Sequence, residues 1–145
     1  QDLTCSISKP RFTDEFYDLY ARYIKERHAD GDMYPATEEQ YQSFIVESEA
    51  NSCFLEFRLN GKLLAVAVTD MLSNACSAIY TFFEPLESRR SLEVFAILKQ
   101  IEFTRDKQLE YLYLGYWVKQ CRKMSYKTQY RPVELLVNGC WTLLG

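Results

Sequence analysis

CFLEFRLNGKLLAVAVTDM, residues 53–71, is the stretch that decides the fold. Two apolar runs of strand length flank the dipeptide formed by Asn60 and Gly61, which is a strong signal for a two-residue hairpin turn. A short turn near residues 73–74 leads to a third run of the same kind, residues 77–83. The segment therefore predicts three antiparallel strands that follow one another in a meander.

Helices are predicted on both sides of this meander. Residues 13–29 carry apolar side chains at helical spacing, and Thr13 is placed to cap the first turn. A second helix starts at Thr37, where a glutamine three residues later completes a capping box. After a polar loop over residues 84–90, a long helix is predicted for residues 91–107.

The remaining residues predict a buried strand over 110–117, a short helix over about 119–128 and one last strand within 133–144. The element order ααβββαβαβ is that of an α/β (α+β) protein with a mixed, mostly antiparallel sheet and flanking helices. It matches the acyltransferase fold of the Gcn5-related N-acetyltransferase (GNAT) type, in which the last meander strand and the next strand splay apart around the acyl donor. We expect residues 1–145 to form one such domain.

Composition limits the partners of the chain. The 145 residues carry a net charge of −3, so binding to nucleic acid requires a local basic patch. No apolar run is long enough to cross a bilayer, and no signal peptide opens the chain. The five cysteines are widely spaced, without a Cys-x-x-Cys pair, which predicts reduced thiols and argues against a zinc site. We expect a cytoplasmic protein with neither a membrane nor DNA among its partners.

Residues 115–132 form a basic and aromatic segment. Its five cations occur without any acidic residue, and four aromatic residues are interleaved among them. Because cations neutralise phosphates and aromatic faces stack on unpaired bases, the segment predicts contact with a single-stranded tRNA end. The residues expected to bind tRNA are Tyr116, Lys119, Lys123, Tyr126, Lys127 and Tyr130. The alternative is a solvated basic helix whose tyrosines pack inward.

The polar residues 84–93 lead into the long helix, where enzymes of this fold hold a pyrophosphate. Acetyl-CoA enzymes place glycines here so that backbone N–H groups can approach the phosphates. This segment contains no glycine, which makes acetyl-CoA a less favoured donor. Arg89 and Arg90 can instead bind a tRNA phosphate or the acidic side chain of a substrate. The alternative is two exposed arginines without such a role.

Asp70 and Tyr80 are the candidate catalytic residues. Asp70 ends an apolar strand, where an acid is unusual, and it either binds and deprotonates the attacking amine or begins the following turn. Tyr80 and Ser77 are predicted on opposite faces of their strand. The Tyr80 phenol is our choice to support an ester carbonyl, with core packing as the alternative. Arg27 is predicted to lie near the acceptor site, whereas His28 is expected to cap the first helix.

Several motifs resemble one known family. They are AIYTFFEP (78–85), RSL (90–92), YLYLGYW (111–117), KMSYK (123–127) and YRP (130–132). Together they resemble the C-terminal domain of the arginyl-tRNA–protein transferases. Arg27 with His28, and Trp117, are similar to the bacterial branch of that family, the aspartate/glutamate leucyltransferases.

The resemblance implies a GNAT-like fold and the transfer of leucine, with arginine as the second choice, from charged tRNA to proteins with N-terminal Asp or Glu. The reaction marks those proteins for degradation in the N-degron pathway. Aminoacyl-tRNA is then a co-substrate, and no cofactor is expected in these residues. The family also carries an N-terminal Cys-rich domain associated with metal or iron–sulfur binding, which we expect to be absent from this sequence.

One residue departs from the family pattern. Glycine usually follows the Arg-Ser-Leu motif, and Glu93 stands there in this chain. We expect its carboxylate to repel tRNA phosphate or to crowd the cleft. Two other functions stay open at this point, an acetyl-CoA-dependent N-acetyltransferase and a non-catalytic tRNA-binding module.

Overall fold

The computed structural model describes residues 3–27, 31, 34–47, 51–115, 127 and 129–144, with the side chains of residues 88–90 and 144 outside that description. These residues belong to two compact units, which comprise residues 1–113 and 114–145.

The first unit is built on a five-stranded sheet with the strand order β1-β2-β3-β4-β5. The first four strands pair antiparallel and β5 pairs parallel to β4, which makes the sheet mixed and mostly antiparallel as predicted. Asn60 and Gly61 take the positive φ angles of 52° and 85° that a two-residue hairpin turn requires. The strands are β1 (Thr4–Ser8), β2 (Asn51–Leu59), β3 (Lys62–Met71), β4 (Ala75–Phe83) and β5 (Tyr111–Tyr113).

The strand β1 is absent from the sequence prediction. Its residues, TCSIS, alternate between polar and apolar, but the run is only five residues long and four of the five are exposed. The strand lies at the edge of the sheet and pairs only with β2 within the described residues. A pairing partner that is distant in sequence therefore stabilises β1, rather than its own pattern.

The helices begin where the capping residues predict. In α1 (Asp14–Arg27) the Phe16 N–H donates to Thr13 Oγ1 at 3.1 Å. In α2 (Glu38–Tyr41) the Gln40 N–H donates to Thr37 Oγ1 at 3.0 Å, and the chain continues as a wider turn, Gln42–Val46. The long helix α3 spans Leu92–Asp106.

We expect Thr13→Ala to lower the free energy of unfolding by about 1 kcal/mol, because the first turn of α1 loses the acceptor for one of its N–H groups. Urea unfolding followed by circular dichroism measures the change. Thr13→Ser keeps the hydroxyl and should remain within about 0.5 kcal/mol of the wild type. Equal losses in the two variants would contradict the capping role.

The helices pack on the two faces of the sheet. On one face, rings of α1 meet rings of the strands, with Phe16 at 5.4 Å from Phe54 and Tyr20 at 5.6 Å from Phe82. On the other face, Phe95 of α3 lies 5.5 Å from Phe57. Aromatic residues thus form much of the core, and burial of their surface is the main stabilising contribution.

Two segments differ from the sequence prediction. Residues 84–90 were expected to be a polar loop, and Pro85–Arg90 form an irregular 3₁₀ turn. The strand predicted for residues 110–117 is shorter, Tyr111–Tyr113, and it is not buried, because Tyr111 is 44% exposed.

The second unit contains a hairpin of β6 (Val133–Val137) and β7 (Cys140–Leu144) where one strand was predicted. Asn138 and Gly139 form its turn with φ angles of 50° and 80°. The helix predicted for about 119–128 lies outside the described residues, except for Lys127.

Candidate functional site

Within the described residues of the first unit, the edge of β4 is open over more than half of its length. β4 pairs with β5 only through residues 75–77, where Ser77 lies opposite Tyr113. From residue 78 to residue 83, β4 pairs with β3 alone within the described residues of the first unit. The backbone N–H and C=O groups of an open strand edge can bind an extended or ester-linked ligand.

A β-bulge in β4 changes which side chains share a face. Val68 lies opposite Tyr80 and Asp70 lies opposite Ser77, because the register shifts by one residue at Ile79. Val68 and Asp70 are two residues apart on β3 and face the same side of the sheet. Tyr80 and Ser77 therefore also share a face, and the prediction that they lie on opposite faces was wrong.

The Tyr80 hydroxyl is a buried donor for which the described part of the chain offers no hydrogen-bond partner. Its oxygen is out of contact with solvent and makes no hydrogen bond with any described residue. The ring is held by Tyr20, Tyr23 and Phe44, at centroid distances of 6.3, 6.0 and 5.3 Å. Burial raises the pKa of Tyr80 above its ordinary value, so the phenol stays protonated and able to donate. A buried hydroxyl left in this state is a candidate for binding a ligand.

Asp70 lies on the same face as Tyr80, near the end of β3. Its Oδ1 accepts a hydrogen bond from the Ser52 hydroxyl on β2, a partner that sequence reasoning did not identify. The opposing residue on β4 is Ser77. The carboxylate is therefore held in place between two serine-bearing strands, half-buried and on the same face of the sheet as the candidate donor.

Arg27 is fixed at the end of α1 by an aromatic ring and a carboxylate. Its guanidinium lies 5.1 Å from the centroid of Phe83, the last residue of β4, and 3.5 Å from Glu93 Oε1. The Tyr23 ring packs on Phe83 at 4.9 Å. The pKa of Tyr23 is raised to about 12, mainly by burial. The Glu93 carboxylate contributes to this increase, and the Arg27 guanidinium reduces it. Glu93, whose carboxylate was expected to repel tRNA phosphate, thus lies beside the Arg27 guanidinium.

A second ion pair ties β4 to α1. Arg22 lies 2.9 Å from Glu84, which follows β4 directly and whose side chain is only 7% exposed. The two pairs hold the beginning and the end of the Pro85–Arg90 turn against α1. Arg89 and Arg90 belong to this turn, and their side chains lie outside the described residues.

Solved structures resemble this arrangement in fold. The ribosomal-protein-S18-alanine N-acetyltransferase from Escherichia coli aligns with a TM-score of 0.61 at 18% identity, over 87% of this chain and 76% of that one. An aminoglycoside acetyltransferase from an uncultured soil metagenomic sample aligns with a TM-score of 0.66 at 13% identity, over 99% and 97%. At these identities the likeness shows the fold alone, which is the GNAT acyltransferase fold that the element order predicts.

Residues 15–137 match the family described as arginine-tRNA-protein transferase, C terminus. The chain belongs to this family. The aspartate/glutamate leucyltransferase of Pseudomonas fluorescens SBW25 is 59% identical over 144 residues, which are 99% of this chain and 61% of that protein. The enzyme of the same name from Pseudomonas aeruginosa PAO1 is 57% identical over 136 residues, 94% of this chain and 58% of that protein. The chain thus spans about three fifths of the length of these relatives.

Only part of the basic segment that carries the family motifs can be placed. Tyr116, Lys119, Lys123 and Tyr126 lie outside the described residues, as do His28 and Cys121. In the second unit, Lys127 Nζ lies close to Gly115. It is 3.7 Å from the position that a Cβ atom on Gly115 would occupy. Tyr130 has a buried hydroxyl. The expectation that these residues bind tRNA stays a prediction.

In the described ranges of the chain, no group of three or more His, Cys, Asp or Glu side chains is placed to hold a metal ion. Cys5, Cys53, Cys76 and Cys140 are free thiols, and burial raises the pKa of Cys53 to about 11. No helix in those ranges is long and apolar enough to span a membrane.

Proposed function

We propose that this chain is the catalytic part of an aminoacyl-tRNA–protein transferase, which moves leucine from charged tRNA to the α-amine of proteins that begin with Asp or Glu. The observation that carries the proposal is 59% identity over 99% of the chain to an aspartate/glutamate leucyltransferase. Arginine is the second choice of donor amino acid. The reaction would act in the cytoplasm and mark its protein substrates for the N-degron pathway.

The donor site is assigned to the open edge of β4 and the turn that follows it. Arg89 and Arg90 lie in that turn, where acetyl-CoA enzymes have glycines, and arginines suit the phosphates of a tRNA acceptor arm. The terminal bases are assigned to the aromatic residues of the basic segment. The residues of that segment are Tyr116, Lys119, Lys123, Tyr126, Lys127 and Tyr130.

The reaction joins the acceptor amine to the aminoacyl carbonyl carbon. A new amide bond forms, the ester bond to the tRNA ribose breaks, and the proton released by the amine ends on the ribose oxygen. Before the attack, the ammonium, whose ordinary pKa is about 8, loses a first proton to Asp70, or through the adjacent ribose hydroxyl acting as a relay to solvent, so that the neutral amine reacts and its second proton is the one passed to the ribose oxygen. The Tyr80 hydroxyl donates to the carbonyl oxygen as negative charge develops there. Arg27, Arg89 and Arg90 are the candidates for binding the acidic side chain.

No cofactor takes part in these steps, because the aminoacyl ester is already activated and placement of the two reactants supplies much of the rate. We assign any metal or iron–sulfur centre to the N-terminal Cys-rich domain of the family. This assignment follows from the family resemblance, and the wide spacing of the five cysteines argues against a zinc site in the present chain.

Transfer of labelled amino acid by the full-length enzyme tests the proposal. Leucyl-tRNA and arginyl-tRNA are offered with peptides that begin with Asp, Glu or Ala, and acetyl-CoA is offered in a parallel reaction. We expect leucine to be added to the Asp and Glu peptides and not to the Ala peptide. Equal transfer to all three peptides, acetylation instead, or tRNA binding without any transfer would each contradict the proposal.

A further inference from the structure

We infer that Arg27 binds the acidic side chain of the acceptor and that Glu93 is its resident counter-ion, which sets how strongly acidic N-termini are preferred. The inference rests on the proposed function and deepens it. The sequence alone made Glu93 an obstacle to the donor. Its position beside Arg27 makes it part of the acceptor site instead.

The guanidinium of Arg27 is positioned to bind a carboxylate. Phe83, which is buried, supports one face of it at 5.1 Å, and Glu93 lies 3.5 Å from one of its terminal nitrogens. An arginine has five N–H donors in a planar fork, so a guanidinium fixed against a ring can bind a second carboxylate with little loss of side-chain entropy. The side chains of Arg27 and Glu93 are 31% and 29% exposed, so a substrate can reach both.

The pair also lies on the path to the candidate catalytic hydroxyl. Phe83 contacts Tyr23 at 4.9 Å, and Tyr23 contacts Tyr80 at 6.0 Å. Two ring contacts therefore connect the Arg27 site with the buried donor beside the open edge of β4.

Arg22 does not suit this role, although it lies one turn earlier on α1. It is paired at 2.9 Å with Glu84, whose side chain is 7% exposed. A substrate that took Arg22 would leave a buried carboxylate without its cation, which is strongly unfavourable. Glu93 can give up its partner at much lower cost. It is part-exposed and lies in the first turn of α3, where the helix dipole and water stabilise a negative charge.

We expect substitutions of Glu93 and of Arg27 to change the KM for an acidic peptide in opposite directions. Glu93→Gln removes the competing carboxylate, so we expect the KM for a peptide beginning with Glu to fall about fivefold, as for a part-exposed ion pair, with kcat unchanged. A peptide beginning with Gln has the same shape without the charge, and its KM should not change. Arg27→Met should raise the KM for the Glu peptide by about tenfold or more. It should also remove the preference for the Glu peptide over the Gln peptide.

The test uses the full-length enzyme, leucyl-tRNA and the matched Glu and Gln peptides. Glu102→Gln is the control, because it makes the same change on α3, where Glu102 pairs with Lys99 at 3.4 Å away from the site. Arg27→Lys keeps the charge and should retain part of the preference, which separates binding from folding. A higher KM of Glu93→Gln for the Glu peptide would overturn the inference, because Glu93 would then bind the ammonium. An unchanged Glu-over-Gln preference in Arg27→Met would also overturn it.

The proposed function fails separately, if the wild-type enzyme transfers no leucine to the Glu peptide. If the wild type transfers leucine with a clear preference for Glu, and both variants behave like the wild type, only the inference about Arg27 and Glu93 fails.

Discussion

Tyr80→Phe is expected to lower the rate of leucine transfer about a hundredfold and to leave the unfolding midpoint close to that of the wild type. Loss of one preorganised donor to a developing oxyanion costs about 10²–10³ in rate. The hydroxyl makes no hydrogen bond with a described residue, so its removal breaks no internal bond of that part of the chain. Because burial raises the pKa of Tyr80, the wild-type phenol should remain a donor throughout the pH range of the assay.

Single-turnover transfer from leucyl-tRNA to an Asp peptide measures this effect, because product release does not limit the observed rate in such an experiment. Tyr20→Phe is the matched control, because the Tyr20 hydroxyl donates to Gln40 Oε1 at 2.9 Å within the same aromatic group. We expect this control to lose about 1 kcal/mol of stability and to keep the wild-type transfer rate. Wild-type transfer by Tyr80→Phe would remove the hydroxyl from the mechanism.

Phe54→Ala is expected to destabilise the protein by about 3–5 kcal/mol, the range for truncation of a buried phenylalanine. Phe54 is fully buried at the centre of β2, and its ring packs against Phe16 of α1 at 5.4 Å. The substitution removes this contact and leaves a cavity between the sheet and α1. A domain of this size has only about 5–15 kcal/mol of stability in total, so the loss is a large fraction of it.

Urea unfolding at equilibrium gives the size of this loss. The control is Leu98→Ala on α3, because Leu98 is 51% exposed and its truncation should cost less than about 0.5 kcal/mol. A loss below about 1 kcal/mol for Phe54→Ala would contradict the placement of this ring in the core.

Local signals made much of the fold predictable. Thr13 and Thr37 cap the helices that follow them, and Asn60 with Gly61 turns the first hairpin. Each of these depends on residues within a few positions of one another, which is the range that a sequence pattern reports. The hairpin at Asn138 has the same Asn-Gly signal, so the single strand predicted there overlooked available information.

The features that were missed depend on contacts between distant residues. β1 is stabilised by pairing with β2, and the polar–apolar alternation of its own five residues is too short to identify the strand by itself. The bulge at Ile79 reverses the face of Ser77 relative to Tyr80, and a strict two-residue period cannot anticipate one extra residue. Glu93 was considered beside its chain neighbours, whereas folding brings it to Arg27 on another helix.

The most direct test of the account is hydrogen–deuterium exchange of the full-length enzyme with a leucyl-tRNA whose ester is replaced by a stable amide. In the proposed mechanism the aminoacyl group lies at the open edge of β4, on the side of Tyr80. We therefore expect slower exchange of the amides of residues 78–83 when this tRNA is bound, and no slowing with acetyl-CoA. Unchanged exchange in residues 78–83 with saturating leucyl-tRNA analogue, or slowing by acetyl-CoA instead, would contradict it.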